Sequence, residues 1–257
     1  MLKAVIFDMD GTLLDSEIVH YFAIRDAAKE KLGIDIFMEN YMRYCGVPDP
    51  EMWPEIMREA GGLTPAIEEA FGGLPALSEE NREHRLSEDE KVDAVSAELE
   101  RIHWAGYHRY IEKNGITSFP GVPELLDALK KAGLHIAIAT GSLHSVVEGN
   151  LQLLGIKAYV DAVAASEDVE NGKPAPDVFL KAAEFLGVEP AQCLVVEDSR
   201  NGLTGAARAG MAIVGFDGSQ MPSEAAAAPF AFSDYRQVRT EDFYRWYAAQ
   251  KPGSAGL

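Results

Sequence analysis

The sequence predicts an α/β protein built on a parallel β-sheet, with a helical module inserted after the first strand. Three observations favour this fold class. In the second half of the chain, short apolar strands alternate with helices of about ten residues. The first strand has the same buried character, and the stretch that follows it is helical and irregular. Buried strands separated by helices indicate βαβ units and therefore a parallel sheet.

The first predicted strand is Ala4-Val-Ile-Phe7, and about 130 residues separate it from the next one. Proline in the first turn of a helix and glycine just after its last turn mark several boundaries in the second half. The predicted elements there are helix 123–131, strand 134–139, helix 146–154, strand 161–165, helix 177–186, strand 193–196, helix 201–209 and strand 212–214.

Helical signals dominate the stretch between the first and second strands. A helix is predicted over 18–31, and residues 46–78 are rich in Pro and Gly, which is typical of loops with short helices. Ser87-Glu-Asp-Glu90 is a capping box that opens a long helix ending at Gly115. We therefore expect residues 1–15 and 119–257 to form the α/β core and residues 16–118 to form a helical domain.

Composition excludes several classes of protein. The 257 residues include 41 Asp and Glu against 23 Lys and Arg, a net charge of −18 that disfavours nucleic-acid binding. No apolar run approaches the roughly 20 residues of a membrane helix. Cys45 and Cys193 are too few for a disulfide framework or a structural zinc site. The N-terminal residues do not have the pattern of a signal peptide, so we expect a cytoplasmic enzyme, with a monomer preferred.

Two acidic residues follow the first strand directly. Asp8 and Asp10 are two residues apart in an extended segment, so both carboxylates can face one site at the carboxyl end of the strand, where open α/β sheets bind ligands. The Asp-x-Asp-Gly pattern also begins calcium loops, but Val19 occupies the position where such a loop needs glutamate. A solvated turn remains the other interpretation of this motif alone.

Three further motifs follow predicted strands or open helices. Thr140-Gly-Ser142 suits an anion, or is simply a helix N-cap. Lys173 lies in Asn171-Gly-Lys-Pro-Ala-Pro176, where it is either a fixed cation near a phosphate or an ordinary exposed lysine. Glu197-Asp198 closes a strand and offers oxygen ligands for a metal ion, or caps the next helix.

The order of these four motifs along the chain resembles the haloacid dehalogenase-like hydrolase superfamily. The segments 8–17 and 172–179 are similar to the branch that contains β-phosphoglucomutase and small sugar-phosphate phosphatases. The resemblance covers residues 1–17 and 117–215. It implies a Rossmann-like, three-layer parallel sheet core with an inserted α-helical cap, because that branch places its cap between the first two motifs.

The resemblance also implies roles for individual residues. Asp8 would attack phosphorus, and Asp10 would protonate the leaving alcohol and then activate water. Thr140 and Lys173 would bind phosphoryl oxygens. Mg²⁺ would be held by Asp8, the backbone carbonyl of Asp10 and Asp198, with Glu197 binding it directly or through water.

The remaining expected substrate-binding residues are Gly11, Gly141 and His20. His20 matches a histidine of both mutases and phosphatases in this branch, where it could touch the substrate or assist Asp10. It could equally be a helix residue at the hinge between the domains. The other histidines gave no functional signal.

The resemblance implies a magnesium-dependent phosphatase acting on a small phosphorylated metabolite. Asp10 argues against dehalogenation, because the namesake dehalogenases generally lack this second aspartate. β-Phosphoglucomutase carries an arginine for the distal phosphate after a Gly-Val-Ser sequence, whereas here Gly46-Val-Pro-Asp49 ends in an acid. A sugar phosphomutase and a non-catalytic metal- or metabolite-binding module remain the alternatives, and the substrate itself is not specified.

Overall fold

Within the residues that the computed structural model describes (1–44, 47, 49–72, 87–219 and 225–250), six parallel strands form one β-sheet. These strands are β1 (Ala4–Phe7), β2 (His135–Ala139), β3 (Ala162–Ala164), β4 (Cys193–Glu197), β5 (Ala212–Phe216) and β6 (Ala231–Phe232). Their order across the sheet is β3-β2-β1-β4-β5-β6. The predicted α/β class with a parallel sheet is confirmed, and β1 and β4 are neighbours although they are far apart in sequence.

Ten α-helices accompany the sheet in the same described residues. They are α1 (Glu17–Leu32), α2 (Met38–Tyr41), α3 (Asp49–Glu59), α4 (Pro65–Ala70), α5 (Glu88–Asn114), α6 (Val122–Lys131), α7 (His144–Leu153), α8 (Asp177–Leu186), α9 (Arg200–Arg208) and α10 (Thr240–Ala249). The chain divides into an α/β unit, Met1–Ser16 with Ile116–Leu257, and a helical unit, Glu17–Gly115. Helices α1 to α5 belong to the helical unit.

The sheet of the α/β unit is covered on both faces. Ile6 of β1 belongs to an apolar cluster that includes Phe179 of α8 and Ala206 of α9. Its neighbour Phe7 points to the opposite face, where its ring centroid lies 6.5 Å from that of Phe243 in α10. Successive side chains of a strand point to opposite faces, so this alternation produces the three layers.

Local signals explain where the long helix of the other unit begins and ends. The Ser87 hydroxyl accepts a hydrogen bond from the Glu90 N–H, and the Glu90 carboxylate accepts one from the Ser87 N–H. Gly115 follows the last residue with a φ of 76°, which glycine adopts without strain. Helix α5 then packs along α1 and α3.

Some residues used in the sequence analysis lie outside the described part of the chain, and two elements of the structure were not predicted. Gly46 and Pro48, which the comparison with the mutase sequence uses, lie outside the described residues, as do residues 73–86. Strand β6 and helix α10 were not predicted. Among the helices of the described residues, none combines the length and apolar character needed to cross a membrane.

Candidate active site

Carboxylates from two strands meet at one edge of the sheet. Asp8 follows β1, and Glu197 ends β4 directly before Asp198. The Asp8 N–H donates to the carbonyl oxygen of Val196 at 3.0 Å, so β1 and β4 remain hydrogen-bonded as far as the site. One carboxylate oxygen from each of Asp8, Glu197 and Asp198 lies within 4.8 Å of the others. This edge is the point where the strand order reverses, the usual ligand site of such sheets.

Lys173 lies between two of these carboxylates. Its Nζ is 2.5 Å from Asp8 Oδ1 and 2.6 Å from Glu197 Oε1. The side chains of Lys173, Asp8 and Glu197 are 12%, 8% and 1% exposed. The ammonium group also lies 5.1 Å from the ring centroid of Phe179, a cation–π distance. Lys173 is thus a largely covered cation in contact with Asp8.

The site holds more negative charge than one lysine can balance. The pKa of Asp8 is raised to about 8: burial is the largest cause, Glu197 and Asp10 add to the rise, and Lys173 opposes it. Burial alone lowers the pKa of Lys173, but Asp8 and Glu197 outweigh it and hold that pKa above its usual value. Three neighbouring carboxylates facing one ammonium group suit a divalent cation with a preference for oxygen ligands. The described residues therefore fit Mg²⁺.

The carboxylate of Glu197 is already engaged on both oxygens. Oε1 accepts from Lys173, and Oε2 accepts from the N–H and hydroxyl of Ser199 at 2.7 and 2.9 Å. The side chain fills the space beside Gly202 in α9, where a Cβ would stand 1.7 Å from Oε1. This geometry favours Asp8 and Asp198 as direct metal ligands, with Glu197 holding Lys173.

The loop after β1 wraps around Asp198. The Thr12 hydroxyl donates to Asp198 Oδ1 at 3.0 Å, and the Tyr235 hydroxyl donates to the Thr12 carbonyl at 2.8 Å. Gly11 has a φ of 80°, and a Cβ there would lie 2.4 Å from Asp198 Oδ2. Glycine is therefore required at this position both by backbone conformation and by space.

Two serine hydroxyls hold the carboxylate of Asp10. Ser16 donates to Oδ1 and Ser142 donates to Oδ2, both at 2.7 Å. The Ser142 N–H also donates to the hydroxyl oxygen of Thr140 at 3.0 Å, so Thr140 is joined to the same network. Both serines lie in motifs that the sequence predicts to be functional, but no sequence pattern marks them as partners of Asp10.

Gly141, next to this network, is exposed in the turn after β2. His20 belongs to the helical unit, where its Nδ1 lies 3.0 Å from Nε2 of His103. His103 Nδ1 in turn lies 3.0 Å from the carboxylate of Asp49. These contacts show that His103, which gave no signal in the sequence, belongs to a defined cluster.

Comparison with known proteins identifies relatives over most of the chain. The family model for haloacid dehalogenase-like hydrolases matches residues 2–210. The chain is 31% identical to a phosphorylated carbohydrates phosphatase of Thermotoga maritima, covering 82% of each protein. It is 32% identical to the fructose-1-phosphate phosphatase of Escherichia coli, covering 80% of this chain and 92% of that protein. The crystal structure of β-phosphoglucomutase from Clostridium difficile is similar, with a TM-score of 0.71, 26% identity and coverage of 96% of this chain and 97% of that one.

Proposed function

Because the chain belongs to the haloacid dehalogenase-like hydrolases, we propose that it is a magnesium-dependent phosphatase using a phosphoaspartyl intermediate on Asp8. The family match and the phosphatase-named relatives make it a phosphoric monoester hydrolase. The proposed substrate is a small phosphorylated metabolite, and the relatives named for phosphorylated carbohydrates and fructose 1-phosphate favour a sugar phosphate.

One observation carries the proposal: a largely covered lysine is hydrogen-bonded to the carboxylate of Asp8 at the edge where β1 and β4 end. A carboxylate becomes a useful nucleophile toward a phosphate ester when nearby positive charge neutralises the incoming anion. Lys173 supplies such a charge in a chain whose net charge is −18. Phosphoryl transfer depends mainly on this kind of positioning and charge neutralisation.

Asp8 and Asp198 would hold Mg²⁺, with the Asp10 carbonyl as a further expected ligand. When bound, the ion would supply positive charge to the phosphoryl oxygens and lower the pKa of Asp8, which keeps the nucleophile ionised. Glu197 would keep Lys173 in place, since it accepts a hydrogen bond from the same ammonium group.

The reaction divides into two transfers. In the first, an Asp8 oxygen bonds to phosphorus while the ester P–O bond breaks, and the carboxyl group of Asp10 gives its proton to the departing alkoxide. In the second, the Asp10 carboxylate takes a proton from water as the water oxygen attacks phosphorus. The bond from phosphorus to Asp8 then breaks, releasing inorganic phosphate. Ser16 and Ser142 can hold Asp10 in both protonation states, because a hydroxyl can either donate or accept.

The Thr140 hydroxyl and the backbone at two glycines would bind the phosphoryl oxygens. Thr140 is 2% exposed and joined to Asp10 through Ser142, so its hydroxyl is fixed beside the reacting groups. Gly11 and Gly141 are proposed to let the phosphate approach the backbone closely, as residues without a side chain allow.

A sugar phosphomutase is the second candidate, since a similar solved structure is a β-phosphoglucomutase. Asp49 argues against it. A mutase must hold a second phosphate, and here the expected arginine is replaced by a carboxylate that pairs with His103.

The test is phosphate release from a panel of small phosphomonoesters with Mg²⁺, for the wild type, Asp8→Asn and the matched control Asp15→Asn. Asp15 lies in the same segment and accepts a hydrogen bond from Ser219. We expect release that is lost with Asp8→Asn and kept with Asp15→Asn. Isomerisation of a sugar phosphate only with a bisphosphate activator would establish the mutase instead. Magnesium binding without either activity would favour the third alternative, a non-catalytic metal- or metabolite-binding module.

A further inference from the structure

A tyrosine from the C-terminal part of the chain is joined to Asp198 through a single residue. The Tyr235 hydroxyl donates to the backbone carbonyl oxygen of Thr12 at 2.8 Å. The side-chain hydroxyl of the same Thr12 donates to Asp198 Oδ1 at 3.0 Å. We call these residues, all in the α/β unit, the Tyr235–Thr12–Asp198 network. Tyr235 lies outside residues 2–210, which the family model matches, so that match does not account for it.

The first hydrogen bond of this network is shielded from water. Thr12 is 0% exposed and Tyr235 is 2% exposed. Loss of the Tyr235 hydroxyl would therefore deprive the Thr12 carbonyl of a hydrogen bond that bulk water cannot replace. Burial raises the pKa of Tyr235 well above its usual value, and Asp198 and Asp8 add to the rise. The hydroxyl thus stays protonated and available as a donor.

The position of Tyr235 is fixed by contacts away from the carboxylates. Its ring centroid lies 4.5 Å from that of Phe216 in β5, and the ring of Phe232 in β6 meets it edge-on at 5.0 Å. Its backbone is pressed against Gly121, just before α6, where a Cβ would lie 3.0 Å from the Tyr235 carbonyl carbon. The ring and the backbone of Tyr235 are both tightly packed, so its hydroxyl has a fixed direction.

Thr12 connects this fixed hydroxyl to the metal site because two of its groups are used at once. Its carbonyl accepts from Tyr235 and its side chain donates to Asp198. Both groups project from the same backbone, so a carbonyl that is free to tilt would also move the side-chain hydroxyl. Thr12 directly follows Gly11, whose φ is 80°, in the turn after β1. The direction of the Thr12 hydroxyl therefore depends on what holds this turn.

We propose that Tyr235 is a positioning residue for the metal site, and that through Thr12 it holds the Asp198 carboxylate in the orientation that binds Mg²⁺. The inference rests on the proposed function, which assigns Mg²⁺ to Asp198. Residues that orient a metal ligand typically change metal affinity about 10- to 100-fold when they are replaced. Tyr235 acts one hydrogen bond further out, so a smaller change is expected.

The first test is calorimetric titration of the full chain with MgCl₂ alone, which measures binding without activity. Tyr235→Phe should raise the Kd for Mg²⁺ about fivefold, because it keeps the packed ring and removes only the hydroxyl. Tyr247→Phe is the matched control. Its hydroxyl also donates to a backbone carbonyl at 2.8 Å, that of Ala191, which precedes β4 at the end of the strand opposite Asp198. The control should bind Mg²⁺ like the wild type.

Two results of this titration would overturn the proposal. One is an equal Kd for the wild type and Tyr235→Phe. The other is an equal rise in both tyrosine variants, since the effect would then come from the general loss of a buried hydrogen bond. A wild type that binds no Mg²⁺ would overturn it as well.

Variants of Thr12 show whether the effect passes through this residue. Thr12→Val removes the donor to Asp198 and should raise the Kd for Mg²⁺, whereas Thr12→Ser keeps a hydroxyl and should restore binding. Adding Tyr235→Phe to Thr12→Val should raise the Kd no further, while independent effects would multiply. Multiplying effects would overturn the proposal. If Tyr235→Phe does not fold, an unchanged Kd in Thr12→Val would overturn it.

Kinetics distinguish positioning of the metal ligand from a merely structural role. At saturating Mg²⁺, Tyr235→Phe should approach the wild-type kcat, because the bound ion itself then orders Asp198. A kcat that stays low at every Mg²⁺ concentration would contradict the proposal. Failure of the proposed function is a different result: the wild type would release phosphate from no phosphomonoester, while the Kd values for Mg²⁺ would still decide the role of Tyr235.

Discussion

The site at the edge of the sheet and the contacts of Asp49 with His103 and of His103 with His20, which we call the helical chain, both join carboxylates to nitrogen bases, yet they are built differently. Asp8, Glu197 and Asp198 stand where adjacent parallel strands end. The members of the helical chain come from three helices whose side-chain packing brings them together. Strand topology therefore fixes the first cluster, whereas the second depends on how α1, α3 and α5 pack.

Their charges differ as well. At the edge of the sheet three carboxylates share the charge of Lys173, and burial raises the pKa of Asp8 to about 8. In the helical chain one carboxylate faces a neutral imidazole. The first cluster should therefore respond strongly to a metal ion and to loss of charge, and the second should respond weakly to both.

The largest effect is expected at the lysine. Lys173→Met should lower kcat/KM at least about 100-fold, because it removes the cation beside Asp8 and leaves two buried carboxylates facing each other. Steady-state kinetics, with circular dichroism to confirm folding, measure the change. Lys181→Met is the control, since Lys181 pairs with the exposed Glu184 on the same helix. A folded Lys173→Met with nearly wild-type activity would contradict the role given to this cation.

Metal dependence should separate the two clusters. Asp198→Asn should raise the Mg²⁺ concentration that gives half-maximal activity by about 100-fold, because it removes a proposed charged ligand. Asp49→Asn should leave that concentration unchanged. A magnesium titration of activity in both variants makes the comparison, and equal effects would mean that the metal site is misassigned.

A smaller effect is expected from one added methyl group. Gly202→Ala should lower activity about tenfold and destabilise the protein by about 1–3 kcal/mol, because its Cβ would displace Glu197 from the place where it holds Lys173. Gly149→Ala, in the interior of α7 with no atom within 4 Å of its Cβ, should instead stabilise by about 0.5–1 kcal/mol. Urea unfolding and kinetics test both, and similar behaviour of the two variants would show that Glu197 is not fixed by this contact.

These contrasts explain how much the sequence could predict. Asp8 and Asp198 follow apolar strands, so parallel pairing alone places them at one edge. Lys173 could be proposed as a fixed cation because the neighbouring Gly and Pro restrict the backbone of its loop. Strand β6 is only Ala231–Phe232, too short to produce a recognisable pattern.

The parts that were missed depend on contacts between distant side chains. Ser142 reaches Asp10 across 132 positions of the chain, and no spacing rule connects them. The fit of Glu197 against Gly202 depends on the path of α9 relative to β4. The same holds for His103, because its partners His20 and Asp49 lie 83 and 54 positions away in the sequence.

The smallest expected effect concerns the pH dependence of stability. Because burial lowers the pKa of His103 in the folded state, the unfolded chain takes up its proton more readily. The contribution of neutral His103 to the free energy of unfolding is therefore fully present above about pH 6.5. It is lost as the pH falls toward the pKa that His103 has in the folded state. Between pH 7.5 and 5.5, the free energy of unfolding measured in urea should fall less for His103→Gln than for the wild type. His135→Gln, at an exposed position, is the control and should behave like the wild type. If His103→Gln lost as much stability as the wild type between the two pH values, the effect would come from other groups.

Covalent phosphorylation of Asp8 can be measured by rapid acid quenching with a ³²P-labelled sugar phosphate. We expect label to accumulate transiently on the wild type. Asp10→Asn should gain label more slowly, because it lacks the proposed acid of the first transfer, and should lose it more slowly, because it lacks the proposed base of the second. The label should be released by hydroxylamine, map to the peptide that contains Asp8, and be missing from Asp8→Asn. Formation of inorganic phosphate with no labelled protein at any time, or label on another peptide, would rule out a phosphoaspartyl intermediate on Asp8.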